Sequence, residues 1–501
     1  MDTLFYNGTI RTMDSLSPVE ALSARDDRIL ELGGLAQLDH GAVYDRKVDL
    51  HGACLMPAFM DAHSHLIGWA MEKLKADLSS AKTFDDIAGL MGEFAKTPQG
   101  QDSQWVIGAG GNMLMNEGLV EKLDRALPDR PCVVTHVSGH GGVFNTAGQK
   151  LLGLSQGAMV ENAFIDAECR IPSPNFASLK AVFEEGQEDY IRQGYVLAQE
   201  GCVNTNAAPL YKALSAADAM KMTIVGYAQQ DLGLPLDKGP LPTAGFTIRG
   251  DKIFLDGSPQ QRTAYLREPY IGGGLGEATM TDEQVLAAVR SAKEGGRQLL
   301  AHCNGDAAID RYLWALEEGG YPAELRPVVI HGQLMQYDQL KKVKELGAVV
   351  SYFVAHTRHW GDDHIRNLGD RAMTISPVRS TLDMGIPVTF HQDIPVLPPY
   401  PLEPVACAAL RRTASGAALS EKEKISVYEG LQIMTRGAAY QYHEENERGT
   451  LEPGKRADFV ILDRDPVNTP AEELESIRVL ATISGGEVLW RDPHAQAAAE
   501  L

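Results

Sequence analysis

The chain has 501 residues, of which 44% are hydrophobic, so it is long enough for one α/β barrel together with a modest companion domain. Its formal net charge is −21 at pH 7, which argues against binding to nucleic acids and to anionic membranes, because both require basic patches. No uninterrupted apolar segment approaches the ~20 residues that a helix needs to cross a bilayer.

Short strands are predicted at both ends of the chain. Alternating patterns separated by turns fill residues 1–57, and they return from Asp458 to Leu462 and from Val479 to Leu489. The simplest arrangement pairs the two ends with each other. We therefore expect an α/β protein in which residues 1–57 and 449–501 form a small β-sandwich and residues 58–448 form a (β/α)8 barrel.

Two histidines follow the apolar run from Leu55 to Met60. The run ends in Asp61-Ala62-His63-Ser64-His65, which sets two imidazoles two residues apart. On an extended segment both rings point to the same face, and both can reach one divalent cation at the mouth of a barrel. Short histidine pairs also occur on solvated loops, so the spacing by itself leaves both interpretations open.

The next part of the chain has the pattern of an insertion. The stretch from about Trp69 to Arg130 is longer than a simple βα loop and includes a helical patch from Asn116 to Leu127. Long insertions at this face of a barrel usually shape the pocket. His140 follows in the Gly-rich turn from Ser138 to Gly142, where it either contacts substrate or only hydrogen-bonds within the turn.

Lys252 lies in a strand-like run from Asp251 to Ser258. Burial would lower the pKa of its amine, and a neutral lysine can add carbon dioxide to form a carbamate whose two oxygens bridge two cations. The alternative is an exposed lysine at a strand edge, since lysine is seldom buried without a partner.

Three later apolar runs also end in residues that can bind or serve a metal. Buried parallel strands have this pattern, and in an α/β barrel the chemistry collects at their carboxyl ends. A helical pattern from Thr281 to Gly295, opened by a Thr-x-x-Gln capping box, precedes the first of these runs. The alternation predicts a parallel sheet whose strand ends share a site, and the runs are 298–301 before His302, 327–330 before His331, and 386–390 before His391-Gln392-Asp393.

His356 is a second candidate substrate contact. It follows the apolar run from Ala348 to Val354, and a seventh-strand position would aim it at the site. His359 and His364, a few residues further on, have the surroundings of loop residues.

The assembled residues resemble the amidohydrolase superfamily, and the resemblance covers nearly the whole chain. The opening segments of the family match Phe5 to Ile10 and Leu55 to His65, and its specific closing segment matches Leu451 to Asp463. The sequence is most similar to the branch that includes N-substituted formamide deformylase. The segments that suggest this branch are Lys252 to Ser258 with Arg262-Thr263-Ala264, His302 to Asp306, and Ser138-Gly139-His140 with Asn145.

The resemblance implies a barrel with one or two divalent ions per chain, with zinc as the expected metal. By this resemblance His63 and His65 come from the first strand, carboxylated Lys252 from the fourth, His302 and His331 from the fifth and sixth, and Asp393 from the eighth as the metal-bound acid and base.

Two departures from the family pattern stand out. Relatives commonly carry Gly-Ser where this chain has His391-Gln392, and a more basic or aliphatic context where it has Cys303-Asn304. The first departure bears on the floor of the pocket and therefore on the substrate.

The implied reaction is hydrolysis of the carbon–nitrogen bond of a small amide or N-substituted formamide by a metal-activated hydroxide, with Asp393 passing the proton to the departing amine. The alternative is a heterocycle deaminase or cyclic-amidine hydrolase. Deaminases of this superfamily typically use one metal and a Glu near the fifth-strand histidine, whereas here Asp306 but no Glu follows His302. A third interpretation, an inactive barrel that acts as a scaffold, is disfavoured because all six ligand positions are filled.

The cysteines and the amino terminus bear on location. The terminus lacks a basic region and a long apolar core, so no secretion signal is predicted. The cysteines show no close pairing, which is typical of reduced thiols in a cytoplasmic protein, and they are Cys54, Cys132, Cys169, Cys202, Cys303 and Cys407. Beyond a small-molecule substrate, the sequence leaves the partners open, including a homo-oligomer.

Overall fold

The structure is a computed structural model that describes residues 1–111, 116–136 and 141–501. The chain divides into two compact units. The first consists of Met1–His65 and Glu188–Leu501, and the second consists of Leu66–Gln187.

The described strands belong to three sheets. In chain order they are β1 (Asp2–Ile10), β2 (Val19–Arg25), β3 (Arg28–Gly33), β4 (Arg46–Asp49), β5 (Cys54–Pro57), β6 (Phe59–Met60), β7 (Lys75–Asp77), β8 (Val106–Gly111), β9 (Cys132–His136), β10 (Gly141–Phe144), β11 (Ala158–Val160), β12 (Tyr195–Val203), β13 (Thr223–Gln229), β14 (Gly245–Phe254), β15 (Gln298–Cys303), β16 (Val328–His331), β17 (Val349–Tyr352), β18 (Val388–Phe390), β19 (Phe459–Leu462), β20 (Val479–Ser484) and β21 (Glu487–Arg491).

The described helices are mostly short. In chain order they are α1 (Leu35–Leu38), α2 (Leu66–Glu72), α3 (Phe84–Phe94), α4 (Pro98–Asp102), α5 (Gly118–Ala126), α6 (Thr146–Leu152), α7 (Glu161–Glu168), α8 (Phe176–Arg192), α9 (Ala207–Ala216), α10 (Asp282–Glu294), α11 (Asp306–Glu318), α12 (Tyr337–Glu345), α13 (His356–His359), α14 (Gly361–Leu368), α15 (Val378–Asp383), α16 (Leu402–Leu410), α17 (Val427–Gln432), α18 (Ala438–Gln441) and α19 (Gln496–Ala499). Within the described ranges, none of these helices combines the length and the apolar character that a bilayer crossing requires.

A curled parallel sheet of eight strands forms the centre of the first unit. Its order is β6-β12-β13-β14-β15-β16-β17-β18, and every neighbouring pair is parallel. From β14 to β18 every crossover contains at least one helix, as the alternation in the sequence predicts. The helix after β14 begins at the predicted capping box, in which Thr281 and Gln284 each accept a hydrogen bond from the other's backbone N–H.

The sheet is of the TIM-barrel type, but the predicted closure is not observed. Among the described residues no ladder joins β6 to β18. The segments that follow these two strands do meet, because the N–H of His65 donates to the carbonyl of Ile394 at 2.7 Å. The interior is apolar and is filled by side chains such as Val225, Leu300 and Ile330, so the polar chemistry is confined to the strand ends.

The two chain ends pair in a second sheet, as predicted. Strand β5 runs antiparallel to β19, with Pro57 opposite Phe459, and the order is β21-β20-β19-β5-β1-β2-β3 with β4 paired to β1. A separate sandwich domain is not confirmed, because both ends fall in the same compact unit as the parallel sheet.

The second unit has a sheet that the sequence analysis did not anticipate. Five strands lie in the order β11-β10-β9-β8-β7, and the residues packed together in this unit include Leu78, Met91, Val106 and Val134. The helical patch predicted from 116 to 127 is confirmed as α5.

The packing of the chain ends gives a stability prediction. Phe459 is 1% exposed, and its ring meets that of Phe5 edge to face with centroids 5.5 Å apart. Replacing Phe459 with Ala should lower the free energy of unfolding by about 3–5 kcal/mol, measured by chemical denaturation, because the change leaves a cavity between the two ends.

Val43, which is 91% exposed, provides the control. Val43→Ala should change the free energy of unfolding by no more than about 0.5 kcal/mol. A Phe459→Ala variant as stable as the Val43→Ala variant would show that the two ends do not share one core.

Candidate metal centre

His63 and His65 lie directly after β6, with their ring centroids 5.3 Å apart. The Nδ1 of His63 is 2.6 Å from the amide oxygen Oε1 of Gln199, which leaves Nε2 for the centre of the site. A Cβ on Gly201 would lie 2.3 Å from this ring. Strand β12, in which Gly201 lies, can therefore approach the His63 ring this closely only with glycine at this position.

Lys252 is buried, with 1% of its surface exposed, so the edge-lysine alternative is wrong. Its Nζ lies 3.1 Å from Nε2 of His63 and 5.1 Å from the ring centroid of Phe254. Burial lowers the pKa of the amine to about 8, even though the charge of Asp393 acts in the opposite direction.

His302 and His331 come from the neighbouring strands β15 and β16, and their ring centroids are 4.4 Å apart. The Nδ1 of His302 lies 3.2 Å from a carboxylate oxygen of Asp256, and its Nε2 lies 3.4 Å from the amide nitrogen of Asn304. The backbone of His331 has a φ of +75°, in the left-handed region that residues other than glycine adopt only at an energetic cost.

Asp393 lies beyond β18 and also has a positive φ, of +52°. Its Oδ1 is 3.5 Å from Nε2 of His63 and 3.7 Å from Nε2 of His65. This oxygen is buried and accepts no hydrogen bond from the residues that the structure describes. Donor atoms of His63, His331 and Asp393 all lie within 4.8 Å of one another.

These donors fit a divalent cation. Burial lowers the pKa of His63 and His331 well below the usual value, so both rings are neutral and keep a lone pair. Beside these rings lies Oδ1 of Asp393, a buried carboxylate oxygen without a hydrogen-bond donor among the described residues, and a cation would satisfy its charge. The structure thus brings together the residues predicted to share a site.

The ring of His65, like that of His302, lies beside a carboxylate. Its Nδ1 is 3.2 Å from Oε1 of Glu200, and the other oxygen of Glu200 accepts a hydrogen bond of 2.9 Å from Tyr211. Desolvation lowers the pKa of His65, but the hydrogen bond and charge of Glu200, with the charge of Asp393, outweigh it and raise the pKa.

The sequence analysis missed the residues that hold these rings in place. Gln199 and Glu200 lie in β12, where two polar residues interrupt an apolar run, and that interruption could have identified them. Asp256 follows β14 in the Asp-Gly-Ser segment and is 4% exposed. Besides His302, it accepts hydrogen bonds from the backbone N–H groups of Tyr265, Asn304 and Gly305.

The two residues of the departure at the eighth strand have separate contacts. The Nε2 of His391 lies 3.1 Å from Nδ1 of His331. Gln392 donates to Oε2 of Glu403 at 2.6 Å. His391 therefore joins the imidazole cluster, whereas Gln392 is bound to helix α16.

His356 is buried, at 4% exposed, and its Nδ1 lies 3.2 Å from Nε2 of His364. His359 is the last residue of α13 and His364 is fully buried in α14, so the prediction that both are loop residues is wrong. The role of His356 as a substrate contact stays a prediction. His140, the other predicted substrate contact, lies outside the described residues.

Comparisons with known proteins agree with this geometry. The amidohydrolase family profile matches residues 46–490. The chain is 26% identical to the amidohydrolase YtcJ of Bacillus subtilis (strain 168), over 98% of this chain and 99% of that protein. It is 25% identical to N-substituted formamide deformylase of Arthrobacter pascens, over 97% of each chain. A crystal structure of an uncharacterized metal-dependent hydrolase from Pyrococcus furiosus superposes with a TM-score of 0.77 and 26% identity, over 93% of this chain and 100% of that one.

The fold is of the TIM-barrel type, which this chain shares with a metal-dependent hydrolase, and together with the family profile it defines a hydrolase. More specifically, the chain belongs to the amidohydrolase family, and it is an enzyme that acts on carbon–nitrogen bonds other than peptide bonds.

The contact between Glu200 and His65 gives a prediction for the metal-free protein. Replacing Glu200 with Gln removes the negative charge and should lower the pKa of His65, measured by NMR titration of 15N-labelled histidine. Because the pKa of His65 is raised in the folded protein, its contribution to stability is present below the unfolded pKa of ~6.5 and is lost as the pH rises through the folded value.

The matched control is Glu472→Gln, which changes an exposed carboxylate in the carboxyl-terminal segment. It should leave the His65 titration unchanged. An unaltered His65 pKa in the Glu200→Gln variant would show that the charge of Glu200 does not act on this ring.

Proposed function

We propose that this enzyme uses a divalent metal to hydrolyse the carbon–nitrogen bond of a small amide or N-substituted formamide. The observation that carries the proposal is the cluster of His63, His331 and Asp393, in which the buried oxygen of Asp393 accepts no hydrogen bond from the described residues. The name of the relative from Arthrobacter pascens supports the substrate class. Within this proposal residues 58–448 form the catalytic domain, and 1–57 with 449–501 support it.

The proposed ligands are those predicted from the sequence, with one or two ions per chain and zinc as the expected metal. They are His63, His65, Lys252 as its carbamate, His302, His331 and Asp393. A divalent ion held there would polarise a carbonyl and lower the pKa of a water molecule towards ~7. Imidazole and carboxylate donors also accept other divalent ions, so the metal is a matter for measurement.

Asp393 is proposed to move the proton. Its Oδ1 is buried between His63 and His65, where it can accept a proton from water and return it to the departing amine nitrogen. The carbamate at Lys252 forms when the neutral amine nitrogen bonds to the carbon of carbon dioxide and releases one proton. The lowered pKa of Lys252 supports this step.

Deamination is less well supported. Asp306 is the acid that follows His302, but its Oδ1 accepts hydrogen bonds from the backbone N–H groups of Arg267 and Ala307. Asp306 is the first residue of α11, and this oxygen is therefore engaged with backbone N–H groups.

The reaction is tested by product analysis on zinc-loaded protein and its Asp393→Asn variant. With a small N-substituted formamide, the wild type should release the amine and formate without ammonia. The variant should keep its zinc and lose 10²- to 10⁴-fold in turnover, because the proton acceptor is gone.

Asp370→Asn, a change at an exposed carboxylate, is the control and should turn over like the wild type. Release of ammonia from an amino-substituted heterocycle, with the formamide left intact, would favour the deaminase. Turnover of Asp393→Asn within a factor of ~10 of the wild type, at full zinc content, would rule out the proton-transfer role.

The lysine carbamate is tested separately by 13C NMR with labelled bicarbonate. Because the Lys252 pKa is about 8, the neutral amine predominates above this pH, and a carbamate resonance should grow as the pH rises through 8. Lys252→Arg should lack the resonance, since arginine stays protonated. Lys341→Met, which removes an exposed lysine, should keep it. A resonance that persists in Lys252→Arg would place the carbamate elsewhere.

A further inference from the structure

His391 is almost fully buried, with 1% of its surface exposed. Both of its ring nitrogens have partners. Nε2 lies 3.1 Å from Nδ1 of His331, and Nδ1 lies 2.9 Å from the hydroxyl of Ser351. The ring therefore connects a proposed ligand to a serine.

The three hydrogen-bonded residues come from three adjacent strands or from the segment directly after one. His331 is the last residue of β16, Ser351 lies in β17, and His391 follows β18. In the sheet register His331 is opposite Tyr352, and Tyr352 is opposite Phe390. The His391 ring also packs against Phe353, with centroids 5.3 Å apart, and against His63, at 5.2 Å. Sheet register and packing together fix its orientation.

Hydrogen-bond chemistry then sets the tautomers. Of two imidazole nitrogens 3.1 Å apart, one must donate and the other accept. The Nδ1 of His331 is engaged with His391, so Nε2 is the nitrogen left for a cation, and it can bind one only without a proton. The proton of His331 must then be on Nδ1, which donates to Nε2 of His391. His391 carries its own proton on Nδ1 and donates it to the hydroxyl oxygen of Ser351.

We propose that His391 is a positioning residue that accepts the Nδ1–H of His331 and thereby presents the Nε2 lone pair of His331 to the metal. This inference rests on the proposed function, because it assigns His331 as a ligand. Side chains that hold the outer nitrogen of a ligating histidine commonly contribute 10- to 100-fold to metal affinity.

Two substitutions separate the hydrogen bond from the packing of the ring. His391→Gln keeps a polar atom near the position of Nε2, whereas His391→Phe keeps the ring volume and removes the acceptor. Zinc affinity, measured by competition with a chromophoric chelator, should fall 10- to 100-fold in His391→Phe and stay near the wild-type value in His391→Gln. With Co²⁺ as a second probe, His391→Phe should shift the visible absorption bands and His391→Gln should restore them.

Gln392→Ser is the matched control, because it changes the neighbouring buried side chain, which is bound to Glu403 and not to an imidazole. It should keep the zinc affinity of the wild type. Circular dichroism and thermal melting of the metal-free proteins identify any variant that has not folded, and the comparison is made among those that have.

The outcomes are distinct. Wild-type zinc affinity in folded His391→Phe would overturn the inference and leave the proposed function intact. Equal loss in His391→Gln and His391→Phe would also overturn it, since the ring itself would then be required. A wild type that binds neither zinc nor Co²⁺ would overturn the proposed function and this inference with it.

Discussion

The exclusion of water from the carboxyl end of the parallel sheet is the constraint on which the site depends. Charged imidazolium and ammonium groups are costly to bury, so His63, His331 and Lys252 have lowered pKa values and tend to lose their protons. Asp393 places a carboxylate among these groups, and its Oδ1 has no hydrogen-bond donor among the described residues. The neutral nitrogen donors and this anionic oxygen form a set of ligands that a cation would complete. Because the site is buried, the electric field of that cation would act more strongly on a bound molecule than it does in water.

Much of this arrangement could be predicted from the sequence, because the relevant information is local. An apolar run that ends in histidine or aspartate marks a buried strand and its carboxyl end, and parallel strands bring such ends together. This logic located His302 and His331 at the ends of the neighbouring strands β15 and β16, and Asp393 beyond the end of β18. The supporting residues were not predictable in the same way, because Glu200 is separated from His65 by 135 positions and no local pattern links the two. His364 was missed because a polar residue inside a short helix has the same sequence surroundings as one in a loop.

The terminal sheet shows the limit of the same reasoning. Alternating patterns indicate strands, and the pairing of the two ends was correctly expected. They do not specify whether the resulting sheet separates into its own domain, because that depends on packing between residues hundreds of positions apart. Closure of the barrel is likewise a property of the whole sheet, and at the described edges a single backbone hydrogen bond from His65 to Ile394 joins the segments beyond the first and last strands.

The position of the second unit in the chain has an evolutionary consequence. Residues 66–187, which form the second unit, are inserted in the chain between β6 and β12. These two strands are neighbours in the parallel sheet, with Tyr195 opposite Phe59. An excursion that starts and finishes on adjacent strands can lengthen, shorten or be exchanged without shifting the register that aligns the donors. Selection can therefore remodel this module as a replaceable part while the chemistry of the parent scaffold is inherited unchanged.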